Sequence, residues 1–169
     1  MNTKSNISWD KRDLRTALGS FGTGVTVVTS GNFQSRLVGV TANSFSSVSL
    51  EPHIVLWSLV SSSPSLEVFD ATGRFVINVL ALEQMNLSKQ FSKTLEDKFA
   101  GVEYTEGLGD LPVIQNCVAT FECKTIQRTV VGDHVLFLGQ VENYIYENRT
   151  PLLFCQGNYM QVAEALLSN

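Results

Sequence analysis

The hydrophobic period of the chain changes once within residues 1–42. Four apolar residues have the i, i+3, i+4, i+7 spacing of one helix face: Leu14, Ala17, Leu18 and Phe21. This spacing predicts a short amphipathic helix that Ser8 caps and that Gly19 and Gly22 end. From Gly24 the period becomes two, which predicts two strands joined by a hairpin turn at Gly31-Asn32, with the second strand over 37–42.

A serine-rich stretch ends at Pro52 and is predicted to be loop, and the run HIVLWSLV that follows it is apolar without alternation. Such a run predicts a strand buried on both faces. The next segment predicts a helix with Ser63 as cap, Pro64 at the first helical position and Gly73 at its end. FVINVL then predicts another strand, and residues 82–93 predict a second short helix.

Residues 103–112 include Gly107 and Gly109, and we predict loop there. Two long strands are predicted next, CVATFECKTIQRTVV and HVLFLGQVENYIYE, with a turn at Gly132-Asp133, and a short strand from PLLF. The total is about seven strands and three or four short helices. Because strands and helices do not alternate, we expect a mainly β fold whose antiparallel sheet closes as a barrel.

Composition narrows the possible functions. The chain has 169 residues, of which 44% are hydrophobic and 17% charged, whereas ordinary soluble proteins are roughly 25% charged. The length suits one domain over residues 1–169, and the low charge suggests that some surface is hidden in at least a dimer. A net charge of −4 provides no basic surface for a nucleic-acid backbone, so nucleic-acid binding is not expected.

The cysteines, the polar N-terminus and the short apolar runs favour a cytoplasmic protein. Cys117, Cys123 and Cys155 are odd in number and lack CxxC spacing, so we predict small core residues in a reducing compartment. The N-terminus has no apolar signal region, and no apolar run approaches the roughly 20 residues that a membrane span requires. We therefore expect no membrane association.

The common catalytic motifs are absent. Gly22-Thr23-Gly24 lies between a predicted helix and a predicted strand, whereas a dinucleotide fingerprint needs strand, glycine turn and then helix. No GK[ST] follows a glycine loop, and no serine lies in GxSxG. His53 and His134 are too few and too far apart for a triad or a metal cluster, so no metal ligands are predicted.

Two segments beside apolar strands are rich in hydroxyl and amide side chains, residues 41–49 and 61–65. One interpretation is that they form only turns and caps. The other is a flavin site, because such donors suit a pyrimidine edge and a serine-rich helix start suits a phosphate. His134, at the start of a predicted strand, is either a solvated turn residue or a partner for the carboxamide of a nicotinamide stacked on that flavin.

Several segments, taken in order, resemble the short-chain flavin reductase family: LRTALGSFGTGVTVVT, GVTANSFSSVSLEPHIVLWSL, GRFVINVLA, DKFAGV, CVATFECK, GDHVLFLGQV and PLLFCQGNY. Together they extend over almost the whole chain. The resemblance implies an antiparallel Greek-key split β-barrel, the FMN-binding split barrel, with a few short flanking helices. It also implies a homodimer in which FMN or FAD lies in a groove close to the partner subunit.

The resemblance assigns roles to individual residues. The isoalloxazine would contact Thr41, Ala42, Asn43 and Ser44, with Ser46, Ser47 and Val48 closing round it and Ser58 and Leu59 on the adjacent strand. The ribityl phosphate would be approached by Ser61, Ser62, Ser63 and Ser65. Phe91 and Lys98 would flank the outer part of the flavin. His134 would be the catalytic residue at the nicotinamide, with Asp133 behind it and Tyr159 covering the same opening.

The implied activity is an NAD(P)H:flavin oxidoreductase in which a hydride passes from nicotinamide C4 to flavin N5. The product would supply a partner monooxygenase. Similar reductases often carry Arg in the loop after VLWSL, whereas residues 60–64 here read VSSSP, so we expect looser flavin binding, as suits a substrate. Two alternatives remain: a flavoprotein with tightly bound flavin that reduces a metal chelate or a corrin, and a non-catalytic flavin-binding barrel. The sequence does not distinguish FMN from FAD or NADH from NADPH.

Overall fold

The computed structural model describes residues 10–163. The helices in this range are α1 Lys11–Leu18, α2 Leu66–Thr72 and α3 Met85–Phe91, with a 3₁₀ turn at Leu82–Gln84 before α3. The strands are β1 Thr23–Gly24, β2 Thr26–Gly31, β3 Leu37–Ala42, β4 Ser46–Leu50, β5 His53–Val60, β6 Arg74–Val79, β7 Tyr104–Glu106, β8 Pro112–Ile114, β9 Ala119–Val131, β10 His134–Tyr146, β11 Leu153–Cys155 and β12 Asn158–Met160. Within 10–163, no helix is long and apolar enough to cross a membrane.

Seven strands form the main sheet in the order β3-β2-β6-β9-β10-β5-β4, and every neighbouring pair is antiparallel. The two edge strands, β3 and β4, follow one another in the chain and are separated only by residues 43–45. The short connection forces the sheet to curl until its edges approach one another, while no ladder of backbone hydrogen bonds joins them in the described chain. The predicted mainly β, antiparallel split barrel is confirmed.

The barrel interior is aromatic. Trp57 on β5 is fully buried and stacks on Phe137 of β10, with 4.9 Å between ring centroids. Phe69 and Phe75 pack against the same indole. Burial alternates along β5, so the prediction of a strand buried on both faces is wrong. An antiparallel barrel strand has one core face and one outer face, and the outer face of β5 here carries half-buried apolar residues.

The predicted helix starts need correction. α1 begins at Lys11, where the Asp10 carboxylate accepts a hydrogen bond of 2.8 Å from the Arg12 N–H; the predicted cap Ser8 lies outside the described residues. None of the residues of α1 is buried in the described chain. α2 begins two residues later than predicted, with Ser65 in the capping position. Gly73 ends α2 as predicted, in the left-handed conformation.

Three predicted loops or turns also differ from the structure. The hairpin turn at Gly31-Asn32 extends over residues 32–36. The serine-rich stretch before Pro52 contains β4, which pairs with β5, and residues 103–112 contain β7, which pairs with β8. Short strands of this kind have no hydrophobic period of their own, because a partner elsewhere in the chain determines their pairing.

The cysteine prediction holds for two residues of three. Cys117 and Cys123 are buried, and burial raises the pKa of each thiol to about 12. Cys155 is only half-buried, on β11, so its assignment to the core is wrong. All three thiols are free.

Candidate functional site

A cavity of about 850 Å³ lies between β3, the end of β5 and the segment that follows α3. Twelve of the residues proposed from the sequence line it: Thr41, Ala42, Asn43, Ser44, Ser58, Leu59, Ser62, Ser63, Ser65, Phe91, Lys98 and His134. The fold thus joins the two hydroxyl-rich segments, which are separated in sequence, in the wall of one cavity. His134 reaches the same cavity from the start of β10.

Six proposed residues do not line this cavity. Ser46, Ser47 and Val48 lie on β4, and Ser61 lines a neighbouring groove along α2. Asp133 lies behind His134, and its Oδ1 is 2.7 Å from Nδ1 of that ring. The hydroxyl of Tyr159 is 2.8 Å from that of Ser88 on α3, so Tyr159 braces this helix from outside the cavity.

Of the proposed hydroxyls that line the cavity, two donate hydrogen bonds within the protein. Thr41 donates a hydrogen bond of 2.6 Å to the backbone carbonyl of Ser88, which holds α3 against β3. The Ser44 hydroxyl accepts from the backbone N–H of Ser58 at 3.0 Å and donates to the carbonyl of the same residue at 3.2 Å. This pair joins the 43–45 connection to β5 across the split in the barrel. Each of these hydroxyls therefore donates its proton to the protein and only acceptor capacity is left for a ligand.

Asn43 and Ser62 differ from Ser63 in having no side-chain hydrogen-bond partner within residues 10–163. The Asn43 amide and the Ser62 hydroxyl form no side-chain hydrogen bond with any residue in 10–163. The Ser63 hydroxyl accepts from the Ser65 N–H at 3.3 Å. Neutral donors and acceptors are thus available at two sides of the cavity, which suits a ligand with several carbonyl and ring-nitrogen atoms.

Phe91 and Lys98 form one unit of the wall with Gly39. Phe91 is buried and packs edge-on against Phe99, with 5.1 Å between centroids. Gly39 leaves the space that the Phe91 ring fills, because an added Cβ would lie 2.5 Å from its Cδ1. The Lys98 ammonium donates to the carbonyls of Gly39, at 3.0 Å, and of Phe91, at 2.9 Å. Burial lowers the pKa of this lysine.

The His134 ring is oriented by its neighbour. Asp133 belongs to the turn between β9 and β10, which Gly132 makes possible with a φ of 60°. The hydrogen bond from His134 holds the pKa of the Asp133 carboxyl below its usual range, so this carboxylate stays ionised at neutral pH. A neutral imidazole that donates its Nδ1–H to the aspartate has a free lone pair on Nε2. The side chain is 48% exposed and is accessible to a ligand.

The sequence interpretation missed part of the wall. Ser35 and Arg36 come from the loop between β2 and β3, residues 92–97 follow α3, and Tyr104 begins β7. These residues lie in segments without a recognisable motif, so the local sequence did not identify them as site residues. Arg36 and Lys93 add positive charge to the cavity lining, and Glu96 and Asp97 add negative charge. The complete donor set fits a ring ligand that carries an anionic group, and a flavin phosphate meets both conditions.

Residues 18–163 match the family model described as flavin reductase like domain. The chain belongs to this family. The reductase component of the flavin-dependent trigonelline monooxygenase of Acinetobacter baylyi is 38% identical over 91% of this chain and 50% of that protein. FMN reductase (NADH) SmoA of Agrobacterium fabrum is 37% identical over 89% of this chain and 85% of its own length.

Solved structures agree with the family assignment. SgcE6, an NADH:FAD oxidoreductase of Streptomyces globisporus, superposes with a TM-score of 0.88 at 34% identity, covering 93% of this chain and 96% of that one. The flavin reductase-like chain spans about half the length of some curated relatives that it matches, 49% and 50% in two cases. The family resemblance predicted from the sequence motifs is confirmed.

Proposed function

We propose that this chain is an NAD(P)H-dependent flavin reductase that acts on FMN or FAD. The observation that carries the proposal is the single cavity that joins the two hydroxyl-rich segments to His134. The names of the relatives support the same chemistry, since one is an FMN reductase (NADH) and another an NADH:FAD oxidoreductase.

A flavin bound here would accept a hydride at N5 from C4 of a dihydronicotinamide and take one proton from water, which balances the reaction to reduced flavin and NAD(P)⁺. The protein need not supply an acid, a base or a metal for this transfer. Its contribution is to align two ring systems, and correct alignment accounts for a large part of the barrier reduction in such reactions.

The polar wall would orient the flavin ring. The Asn43 amide and Ser62 hydroxyl, which have no partner in the described chain, are available to a pyrimidine edge or a ribityl chain. Phe91 would pack against the ring, and Lys98 would contribute its remaining N–H, since an ammonium has three donors and two are engaged. Thr41 and Ser44 would act mainly by fixing the backbone beside the ring.

His134 would bind the nicotinamide. Its Nε2 lone pair is suited to accept a hydrogen bond from a carboxamide N–H, and Asp133 would hold the ring in that tautomer. This role predicts a specific kinetic signature. His134→Ala should raise the apparent KM for the nicotinamide or lower turnover, with flavin binding nearly unchanged. Loss of flavin binding in this variant would contradict the assignment.

We also propose that the reductase is a homodimer that passes reduced flavin to a monooxygenase. One relative is the reductase component of a flavin-dependent trigonelline monooxygenase. In the described chain, large apolar side chains are exposed on α1 and on β10, including Leu18 at 67% and Tyr146 at 76%. Exposed apolar area of this kind marks interaction surfaces. Light scattering of the purified chain tests the assembly, and a monomer at micromolar concentration would contradict it.

The deciding experiment follows absorbance at 340 nm while NADH and NADPH are crossed with FMN, FAD and riboflavin. Turnover that depends on added flavin supports the proposal. Copurification of a yellow cofactor, with oxidation of NADH only when another acceptor is added, would instead support a flavoprotein with tightly bound flavin. Flavin binding without any change at 340 nm would support a non-catalytic barrel.

A further inference from the structure

The lining of the cavity has a small excess of cationic over acidic side chains, although the protein as a whole is acidic. Three cationic side chains line it, Arg36, Lys93 and Lys98, against two acidic ones, Glu96 and Asp97. The net charge of the chain is −4. Positive charge concentrated in a concave surface attracts anionic ligands, because the low-dielectric walls focus the field.

The three cations differ in what they can still bind. Lys98 uses two of its three donors on backbone carbonyls. Lys93 is an exposed side chain just beyond the end of α3. The Arg36 guanidinium forms no hydrogen bond and no ion pair with residues 10–163. Its donors are therefore all available, in the planar arrangement that matches a phosphate.

The loop between β2 and β3 holds Arg36 in place. Gly31 has a φ of 108°, and a Cβ there would collide with the Arg36 carbonyl. That carbonyl accepts from the Asn32 N–H at 3.3 Å, and the Asn32 side chain accepts from the Gln34 N–H at 2.8 Å. The loop is thus closed by its own hydrogen bonds, and the backbone of Arg36 does not have to be ordered when a ligand arrives.

Arg36 lies beside the serine segment. It lines the main cavity together with Ser63 and Ser65, and it lines a neighbouring depression together with Glu67 and Val68 of α2. The Glu67 carboxylate makes no ion pair with it. α2 has only seven residues, so the dipole at its start contributes little to the binding of an anion. Residues 58–65 contain no cation.

We propose that Arg36 binds the phosphate-bearing end of the flavin and makes the chain select FMN and FAD over riboflavin. This inference rests on the proposed function, because it assumes that the cavity binds a flavin. The positive charge that the serine segment lacks is supplied by a different element, the β2–β3 loop. A guanidinium can bind two phosphate oxygens at once through charge-assisted hydrogen bonds, which are stronger than the hydrogen bonds of neutral hydroxyls.

The test is a binding titration of oxidised riboflavin, FMN and FAD, followed by quenching of flavin fluorescence. The proteins are the wild type, Arg36→Gln, Arg36→Lys, and two comparators that lose the same charge. Lys93→Gln removes another cation of the cavity, and Arg149→Gln removes one from a surface ion pair outside it. Thermal unfolding of each variant verifies that it is folded.

We expect Arg36→Gln to raise the Kd for FMN and FAD by roughly tenfold or more, while the Kd for riboflavin changes by less than about twofold. Arg36→Lys should retain part of the preference for FMN and FAD over riboflavin, because lysine keeps the positive charge but lacks the planar guanidinium group. The Kd for FMN should also depend less on salt in Arg36→Gln than in the wild type. Lys93→Gln and Arg149→Gln should raise the Kd for FMN and FAD by less than Arg36→Gln does.

Equal losses for riboflavin and FMN in Arg36→Gln would overturn the proposal, because the guanidinium would then act on the ring or on the cavity wall. A larger loss of FMN in Lys93→Gln than in Arg36→Gln would also overturn it. If the wild type binds none of the three flavins, the proposed function itself is overturned. If the wild type binds all three flavins equally, only the role of Arg36 is refuted.

Discussion

Gly39 and Phe91 provide the sharpest test of how packing maintains the cavity. The Gly39→Ala change places a methyl group 2.5 Å from Cδ1 of the Phe91 ring. Carbon atoms prefer separations of about 3.5–4.0 Å, so the ring or the strand must move by about 1 Å. Overpacking of this kind costs about 1–3 kcal/mol of unfolding free energy.

The displacement should reach the ligand site through Lys98. The ammonium of this lysine bonds to the carbonyls of both Gly39 and Phe91, so separating the two residues breaks the pair of hydrogen bonds that fixes it. We expect Gly39→Ala to raise the Kd for FMN by about tenfold, equivalent to about 1.4 kcal/mol. Urea unfolding measures the stability loss, and fluorescence quenching measures the Kd.

A double mutant isolates the contact. Phe91→Leu removes the ring that the new methyl group would strike, so adding it to Gly39→Ala should cost less than the sum of the two single changes. Residues in direct contact show such coupling at about 0.5–3 kcal/mol. A double mutant whose loss equals the sum would refute the steric explanation, as would a Gly39→Ala protein with wild-type stability and wild-type flavin affinity.

Two other glycines serve as matched controls. At Gly139 a Cβ would lie 2.9 Å from Cε1 of Phe75 and 3.0 Å from Cβ of Cys123, within the barrel core and outside the cavity lining. Gly139→Ala should therefore destabilise the protein to a similar degree without a specific loss of flavin binding. Gly24 has no atom within 4 Å of an added Cβ, so Gly24→Ala should be close to neutral.

Three further expectations concern other parts of the molecule. Glu122 is buried and accepts hydrogen bonds from the Leu108 N–H and the Asn143 amide, so Glu122→Ala should lower the unfolding free energy by about 1–3 kcal/mol, measured by urea unfolding. Of the three thiols, Cys155 should react with a thiol reagent in the native protein at pH 8, whereas the two with pKa values raised to about 12 should react only after unfolding. Burial lowers the pKa of Lys98 below 10.5, so the folded chain binds fewer protons than the unfolded chain as the pH approaches that value. The unfolding free energy of the wild type should therefore rise with pH relative to that of Lys98→Met.

Each of these expectations has a clear contrary result. Glu142→Ala, which breaks a half-exposed ion pair with Arg74, should cost less than about 1 kcal/mol; a cost equal to that of Glu122→Ala would show that burial of the carboxylate is irrelevant. Rapid labelling of Cys117 or Cys123 in the native state would contradict their placement. If the unfolding free energies of the wild type and Lys98→Met changed with pH in parallel, Lys98 would not be desolvated.

Local pattern was sufficient for the long strands and for most of the hydroxyl-rich wall. A two-residue period predicted β2 and β3, because this period is a property of neighbouring positions in a strand. β9 and β10 were predicted as two long strands on either side of the turn at Gly132-Asp133. Pairing decided the short strands β4 and β7, which were predicted as loop. Their existence depends on hydrogen bonds to segments elsewhere in the chain, which no local period records.

The candidate site divides in the same way. Residue types and family motifs proposed Asn43, Ser62 and His134 for one site, and in the structure all three line one cavity. Only the tertiary structure brought Arg36 to that cavity and engaged the Thr41 hydroxyl with α3. The physical reason is that a side chain can offer a ligand only the donors and acceptors that its neighbours in space do not use. Those neighbours come from distant parts of the chain.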